Sequence, residues 1–176
     1  MGAVEFRQDR PTPRELEERF LEYVADRRFE NLGHWELNDR GEVVVSPVTG
    51  ENARMQFLLG AELERQLGGR AWGEQGLRQS DGPPLVPDVV WSDAAFFESH
   101  KSDGILPGAP RLCVEVMSAS NDPEQLRTKC RAYLACGAEE TWIVQPGSQA
   151  IEILGPEGLR ERSALLFDFA AVWAKL

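Results

Sequence analysis

The sequence lacks any apolar stretch approaching the roughly 18 residues that span a membrane. Its first residues, MGAVEFRQDRP, also lack the apolar middle of a signal peptide. It has only three cysteines, and the odd number favours buried thiols over disulfides or a zinc site. We therefore expect a cytoplasmic protein without membrane contact.

Cationic side chains are also scarce. The 176 residues include two histidines and a formal net charge of −10, with a pI near 4.8, and only three of the 19 basic residues are lysines. His34 and His100 are too few and too scattered for a histidine-based nuclease or metal cluster. Proteins that bind nucleic acid usually carry a basic face. DNA binding would therefore need a local patch of arginines.

Length and composition predict one globular domain, residues 1–176, with an N-terminal helical extension over about 12–28. Apolar residues make up 42% and charged residues 27%, which is ordinary for a soluble domain with a hydrophobic core. Thr12, Pro13 and Glu15 form a capping-box pattern that starts this helix. The stretch GHWELNDRGEVVVSP then predicts a hairpin that turns at 38–41.

The remaining elements alternate between helices and strands. The patterns predict two helices, from Thr49 to about residue 67 and from Asp122 to about 137. They predict strands at 70–76, 77–80, 85–91 and 112–117. A hairpin that turns at 146–148 follows, and then an apolar tail that packs on the core. Residues 98–111 are rich in Gly, Pro and Ser, which predicts a mobile surface loop. The mixture predicts an α/β fold with a central mixed sheet flanked by helices.

Two predicted strands carry a carboxylate inside an apolar run: Asp88 in PLVPDVVW and Glu115 in LCVEVM. An ionised carboxylate removed from water must be paired, bind a metal or take up a proton. If the strands are neighbours, both carboxylates can converge on one hard cation such as Mg²⁺. Such an ion lowers the pKa of bound water and offsets charge on a phosphate, so the pattern is typical of a phosphodiester hydrolase.

A lysine beside the water would stabilise the attacking hydroxide. Met117 occupies the usual position, two residues after Glu115, and cannot supply the charge. Lys129 is the predicted replacement, since it lies at the edge of the helix face that Tyr133 helps to define. A solvated lysine on the helix surface is an equally open interpretation.

In order and spacing, these motifs resemble the bacterial "putative restriction endonuclease" domain family of the PD-(D/E)xK nuclease superfamily. The matching stretches are HWELNDRGEVVVSP, VPDVVW, LCVEVMSAS, KCRAYLACGAEETWIV and QAIEIL. The resemblance implies that Asp88 and Glu115 are metal ligands and that Lys129 is the catalytic lysine. Glu36 corresponds to a glutamate in an early family motif, while Asn52 stands where the family often has a histidine and Gln145 where it usually has an aspartate.

Taken together, we predict a restriction-endonuclease-like core that hydrolyses DNA with Mg²⁺ (or Mn²⁺) and pairs as a homodimer. Asp88, Glu115 and the carbonyl of Val116 would hold the ion. A catalytically silent binding or regulatory domain is the alternative that the acidic composition favours, and an enzyme for another phosphodiester is a third. Glu36 is expected on the hairpin surface. Glu51 and Glu62 could approach the metal, but we expect them to face water, as acids on helices usually do.

Overall fold

A computed structural model describes residues 10–29, 32–46, 49–118 and 121–176 of the chain. The helices are α1 (Pro13–Ala25), α2 (Gly50–Leu67), α3 (Ala94–Ser99), α4 (Pro123–Ala135) and α5 (Ala170–Trp173). The strands are β1 (His34–Leu37), β2 (Val43–Ser46), β3 (Arg70–Gly73), β4 (Val89–Ser92), β5 (Leu112–Val116), β6 (Glu140–Gln145), β7 (Ala150–Gly155) and β8 (Gly158–Arg160). No helix in these ranges is both long and apolar enough to cross a membrane.

The central sheet is mixed. Its six strands run in the order β3-β4-β5-β6-β7-β8, and β5 pairs with β6 in parallel while the other neighbours are antiparallel. β1 and β2 form a separate hairpin. The predicted α/β fold, with a flanked mixed sheet and an N-terminal helix and hairpin, is confirmed.

The alternation of β5 places its side chains against different helices. Val114 belongs to the same core cluster as Leu59 of α2, whereas Cys113 packs with Tyr133 of α4. All four of these side chains are completely buried. Because Glu115 shares the face of Cys113, the strand directs its carboxylate towards α4.

α1 and the hairpin lie against one end of this core. Thr12 caps α1 through the predicted capping box with Glu15. Phe20 of α1 then packs with Leu37 of the hairpin and with Val86, just before β4. This packing brings β1 close to the start of β4, which positions the candidate site.

Three sequence predictions for residues 77–111 are wrong. Residues 77–80 form no strand, since Leu77 makes only isolated bridges with Leu85 and Leu106. The predicted strand 85–91 begins only at Val89, so Asp88 precedes it. The predicted surface loop 98–111 begins inside α3, and it buries Ile105 and Leu106, because its short turns fold apolar side chains back onto the core.

The apolar tail packs on the core as predicted, and a buried acid helps to hold it there. Phe167 and Phe169 contact the buried ring of Trp142. Glu62 of α2, expected to face water, is only 2% exposed and accepts hydrogen bonds from Arg65 at 2.6 Å and from Lys175. Glu62 therefore anchors the tail.

Candidate active site

Asp88 and Glu115 lie at the same end of the sheet. β4 is antiparallel to β5, with Val89 opposite Val114, so the residue before β4 lies beside the last residues of β5. The backbone N–H of Val116 donates a hydrogen bond to Oδ2 of Asp88 at 2.6 Å. The predicted neighbouring strands thus bring the two acids together.

Lys129 reaches these acids from α4. Its Nζ lies 3.0 Å from Oε1 of Glu115 and 2.7 Å from Oε1 of Glu36. It also donates to the carbonyl of Val86 at 3.4 Å. The interpretation of Lys129 as a solvated helix lysine is therefore wrong, whereas Glu36 lies on the hairpin, is 28% exposed and pairs with Lys129. The catalytic role of Lys129 stays a prediction.

Burial dominates the electrostatics of both acids. Glu115 is 3% exposed, and burial raises its pKa to about 7 although the charge of Lys129 opposes the rise. Burial also raises the pKa of Asp88, against the hydrogen bond from Val116. Burial lowers the pKa of Lys129, but Glu115 and Glu36 outweigh it and raise the pKa overall. Lys129 is consequently an ammonium at neutral pH.

Three further side chains at this site escaped the sequence-based prediction. Gln56 of α2 donates to Oδ1 of Asp88 at 2.9 Å. His34 is 8% exposed, and its Nδ1 lies 3.9 Å from Oδ1 of Asp88 and 3.6 Å from Oε1 of Glu74. These are ion-pair separations, and Nδ1 makes no hydrogen bond within the described part of the chain.

The sequence does hold a signal for one of these residues. His34 and Glu36 are two apart on β1, so they share a face of the hairpin. Glu74 carries a structural signal instead, since it adopts a φ of 51°, in the left-handed region that few non-glycine residues visit. Residues in such conformations cluster at functional sites.

The cleft around these groups encloses about 210 Å³. Its described lining is rich in neutral amide side chains, contributed by Asn52, Gln56, Asn121 and Gln125. Lys129 is the one lysine in this lining, and no described lining residue is an arginine. Glu51 is absent from that lining, whereas Val116 is part of it. The cleft therefore offers amide donors rather than a basic surface.

The donor chemistry fits a divalent cation. Four carboxylates, those of Glu36, Glu74, Asp88 and Glu115, surround one lysine and one histidine within ion-pair distances. Carboxylate oxygens are hard ligands, and Mg²⁺ commonly uses one or two of them together with waters. Among the described residues, no three His, Cys, Asp or Glu side chains form a preassembled metal site. Because the carboxylates of Asp88 and Glu115 are hard donors, these two side chains stay the predicted ligands of an ion such as Mg²⁺.

Comparisons with known proteins identify a family and a similar fold. A family model described as "Uma2: Putative restriction endonuclease" matches residues 17–170. The fold is similar to the crystal structure of "a putative nuclease belonging to DUF820 from Anabaena variabilis ATCC 29413", with a TM-score of 0.67 and 18% identity over 94% of this chain and 93% of that chain. No curated protein matches the sequence.

Proposed function

Because the chain belongs to the Uma2 family, whose model is described as a putative restriction endonuclease, we propose that it is a Mg²⁺-dependent endonuclease that hydrolyses phosphodiester bonds in DNA. One observation carries the proposal: Asp88, Glu115 and Lys129 converge at one end of the sheet. A carboxylate pair can hold a divalent ion, and an adjacent ammonium can stabilise the charge that develops in metal-assisted hydrolysis.

Each side chain has a distinct task in this mechanism. Asp88 and Glu115 would hold the ion with the carbonyl of Val116, and a bound Mg²⁺ lowers the pKa of water and offsets phosphate charge. Gln56 and the N–H of Val116 orient Asp88. During hydrolysis the water oxygen bonds to phosphorus and loses a proton to solvent, while the P–O bond to the leaving oxygen breaks and that oxygen takes up a proton. Negative charge builds on oxygen in between. The ammonium of Lys129 stabilises that charge electrostatically.

The carboxyl group of Glu115 must be ionised to bind the ion. Burial raises its pKa to about 7, so a neutral-pH protein holds a mixture of both forms. Lys129 and the hydroxyl of Tyr133, which donates to Oε1 of Glu115, both favour the ionised form. These two partners therefore support cation binding by a buried acid.

Cleavage of supercoiled plasmid and oligonucleotides with millimolar Mg²⁺ or Mn²⁺ tests the proposal. We expect Asp88→Asn, Glu115→Gln and Lys129→Met each to reduce the cleavage rate by about 100-fold or more, since one lost electrostatic stabiliser costs about that factor. The matched control is Lys101→Met, an exposed lysine after α3, beyond the other end of β4. Cleavage that survives both acid substitutions would exclude this site.

A second candidate function, a catalytically silent binding domain, is favoured by the cleft lining. No arginine lines its described part, and two carboxylates already engage Lys129. A wild-type protein that Mg²⁺ stabilises against urea but that cleaves no substrate would support this candidate instead.

We also propose that the enzyme pairs as a homodimer, because a duplex presents two strands to cut. Sedimentation analysis of the full chain tests this pairing, and a monomer at all concentrations would contradict it.

A further inference from the structure

A groove of about 550 Å³ continues from the cleft, between α2 and β3. It shares Gln56 and Asp88 with the cleft, so whatever fills it lies beside the proposed metal ligands. Trp72 and Val89 line the groove together with five small residues, which are Ala53, Gly60, Ala61, Ala71 and Gly73. Phe57 of α2 lines the groove, is 74% exposed and is the one aromatic among the exposed large hydrophobic side chains of the described residues.

The polar groups of the groove are mainly hydrogen-bond acceptors. Glu64 and Glu74 line it, and Oε1 of Glu64 accepts from the N–H of Ala71 at 2.9 Å. The neighbouring His34 lowers the pKa of Glu74, so that carboxylate stays ionised and accepts only. Such a groove repels phosphate, but it suits a flat apolar ring that carries a donor on its edge.

We propose that the groove binds an unpaired nucleobase with an exocyclic amino group, stacked on Phe57 and donating to Glu74. This inference rests on the proposed nuclease function, since it places the base next to the phosphodiester at Asp88. The faces and edges of a base inside a duplex are already stacked and paired, so the substrate would present a single-stranded or flipped nucleotide there. Stacking on Phe57 would supply binding free energy that arginines supply in basic nucleic-acid-binding proteins.

Three observations favour a base over other occupants. The groove volume falls in the range of roughly 300–1,000 Å³ that small-molecule sites occupy. Its carboxylates match the amino groups of cytosine, adenine and guanine, because carboxylates recognise such groups on base edges. Its continuity with the cleft places a base stacked on Phe57 beside the proposed metal ligand Asp88.

Fluorescence anisotropy with labelled oligonucleotides in EDTA tests the proposal without cleavage. The probes are an oligodeoxycytidylate dodecamer, the matching oligodeoxyuridylate and a mixed-sequence duplex of the same length. We expect the wild type to bind the cytidylate most tightly. Phe57→Ala should weaken that binding about 5- to 150-fold, which is the effect of losing one stacked base.

Two further variants separate stacking from recognition. Phe57→Tyr should retain the affinity, because it keeps the ring. Glu74→Gln should remove the preference for cytidylate over uridylate, because an amide also donates to uracil. Leu159→Ala is the matched control, since this leucine of β8 is 73% exposed and should leave binding unchanged.

Equal binding of duplex and single strand would overturn the inference, and so would equal effects of Phe57→Ala and Leu159→Ala on binding. A Phe57→Ala variant with a changed oligomeric state in sedimentation would also overturn it, because the groove would then be a contact between two copies. The nuclease proposal fails separately. Absence of Mg²⁺-dependent cleavage, with cytidylate binding that still depends on Phe57, would refute the nuclease and leave the base site standing.

Discussion

Replacing Glu115 by glutamine should stabilise the metal-free protein at pH 8. Glu115 is 3% exposed, and burial raises its pKa from the ordinary 4.5 to about 7. Each tenfold change in proton affinity is worth about 1.4 kcal/mol, so ionised Glu115 costs the folded state about 3 kcal/mol. Glutamine keeps the shape of the protonated acid and removes the charge.

The pH dependence of this gain has a definite sign. Glu115 is protonated in both states below its unfolded pKa of 4.5, so its cost is absent there. The cost grows as pH rises from 4.5 to about 7 and is complete above 7. The difference in free energy of unfolding between Glu115→Gln and the wild type should therefore be about 3 kcal/mol at pH 8 and below about 1 kcal/mol at pH 5.

Urea unfolding in EDTA, followed by tryptophan fluorescence, measures this difference. The matched control is Glu139→Gln, an acid that is 59% exposed and pairs with Arg111, which should change stability by less than about 0.5 kcal/mol. Mg²⁺ should then stabilise the wild type and not Glu115→Gln, because binding to the folded state adds to its stability. A Glu115→Gln protein that is less stable than the wild type at pH 8 would refute the reasoning, since the ion pair with Lys129 would then outweigh the burial of the charge.

Two other predictions follow from the lining of the cleft and from one glycine. Lys129 is the only lysine or arginine in the described lining of the cleft, so DNA binding should release few counterions. In a salt titration, a plot of the logarithm of DNA affinity against the logarithm of salt concentration should have a slope of about −1 to −2. A slope steeper than about −4 would contradict this prediction. Gly69→Ala should destabilise the protein by about 2 kcal/mol or more in urea unfolding, since Gly69 has a φ of +72° and a Cβ would lie 2.2 Å from the carbonyl oxygen of Ser92. The control Gly50→Ala, at the open start of α2, should be neutral or stabilising, and equal losses in both variants would contradict the steric argument.

The energetic cost of the site supports a functional origin. Glu115 and Asp88 are both buried with raised pKa values, and hydrophobic side chains in their place would avoid that cost. Perturbed acids of this kind cluster at functional sites. The proposed cation would convert the cost into binding energy, which is why the metal-free and metal-bound proteins should respond oppositely to Glu115→Gln.

Local patterns were enough to predict most of the secondary structure. The capping residues Thr12, Thr49 and Asp122 begin their helices as expected. The apolar run of β5 predicts a buried strand, which the structure confirms. These signals lie within a few residues of one another, so they need no knowledge of the fold. Local patterns wrongly predicted a surface loop for residues 98–111. The burial of this segment depends on distant partners such as Gly76, whose carbonyl accepts a hydrogen bond from the N–H of Leu106.

The sequence by itself determined which residues are costly to bury and which face of α4 carries Lys129. Apolar neighbours around Asp88 and Glu115 and the period of the helix contain that information. Only the tertiary structure decided that Glu36 and His34 reach the same site, and that Phe57 lies beside it. Those contacts join elements far apart in the chain, and they depend on how the hairpin and α2 pack on the sheet, which no local periodicity encodes.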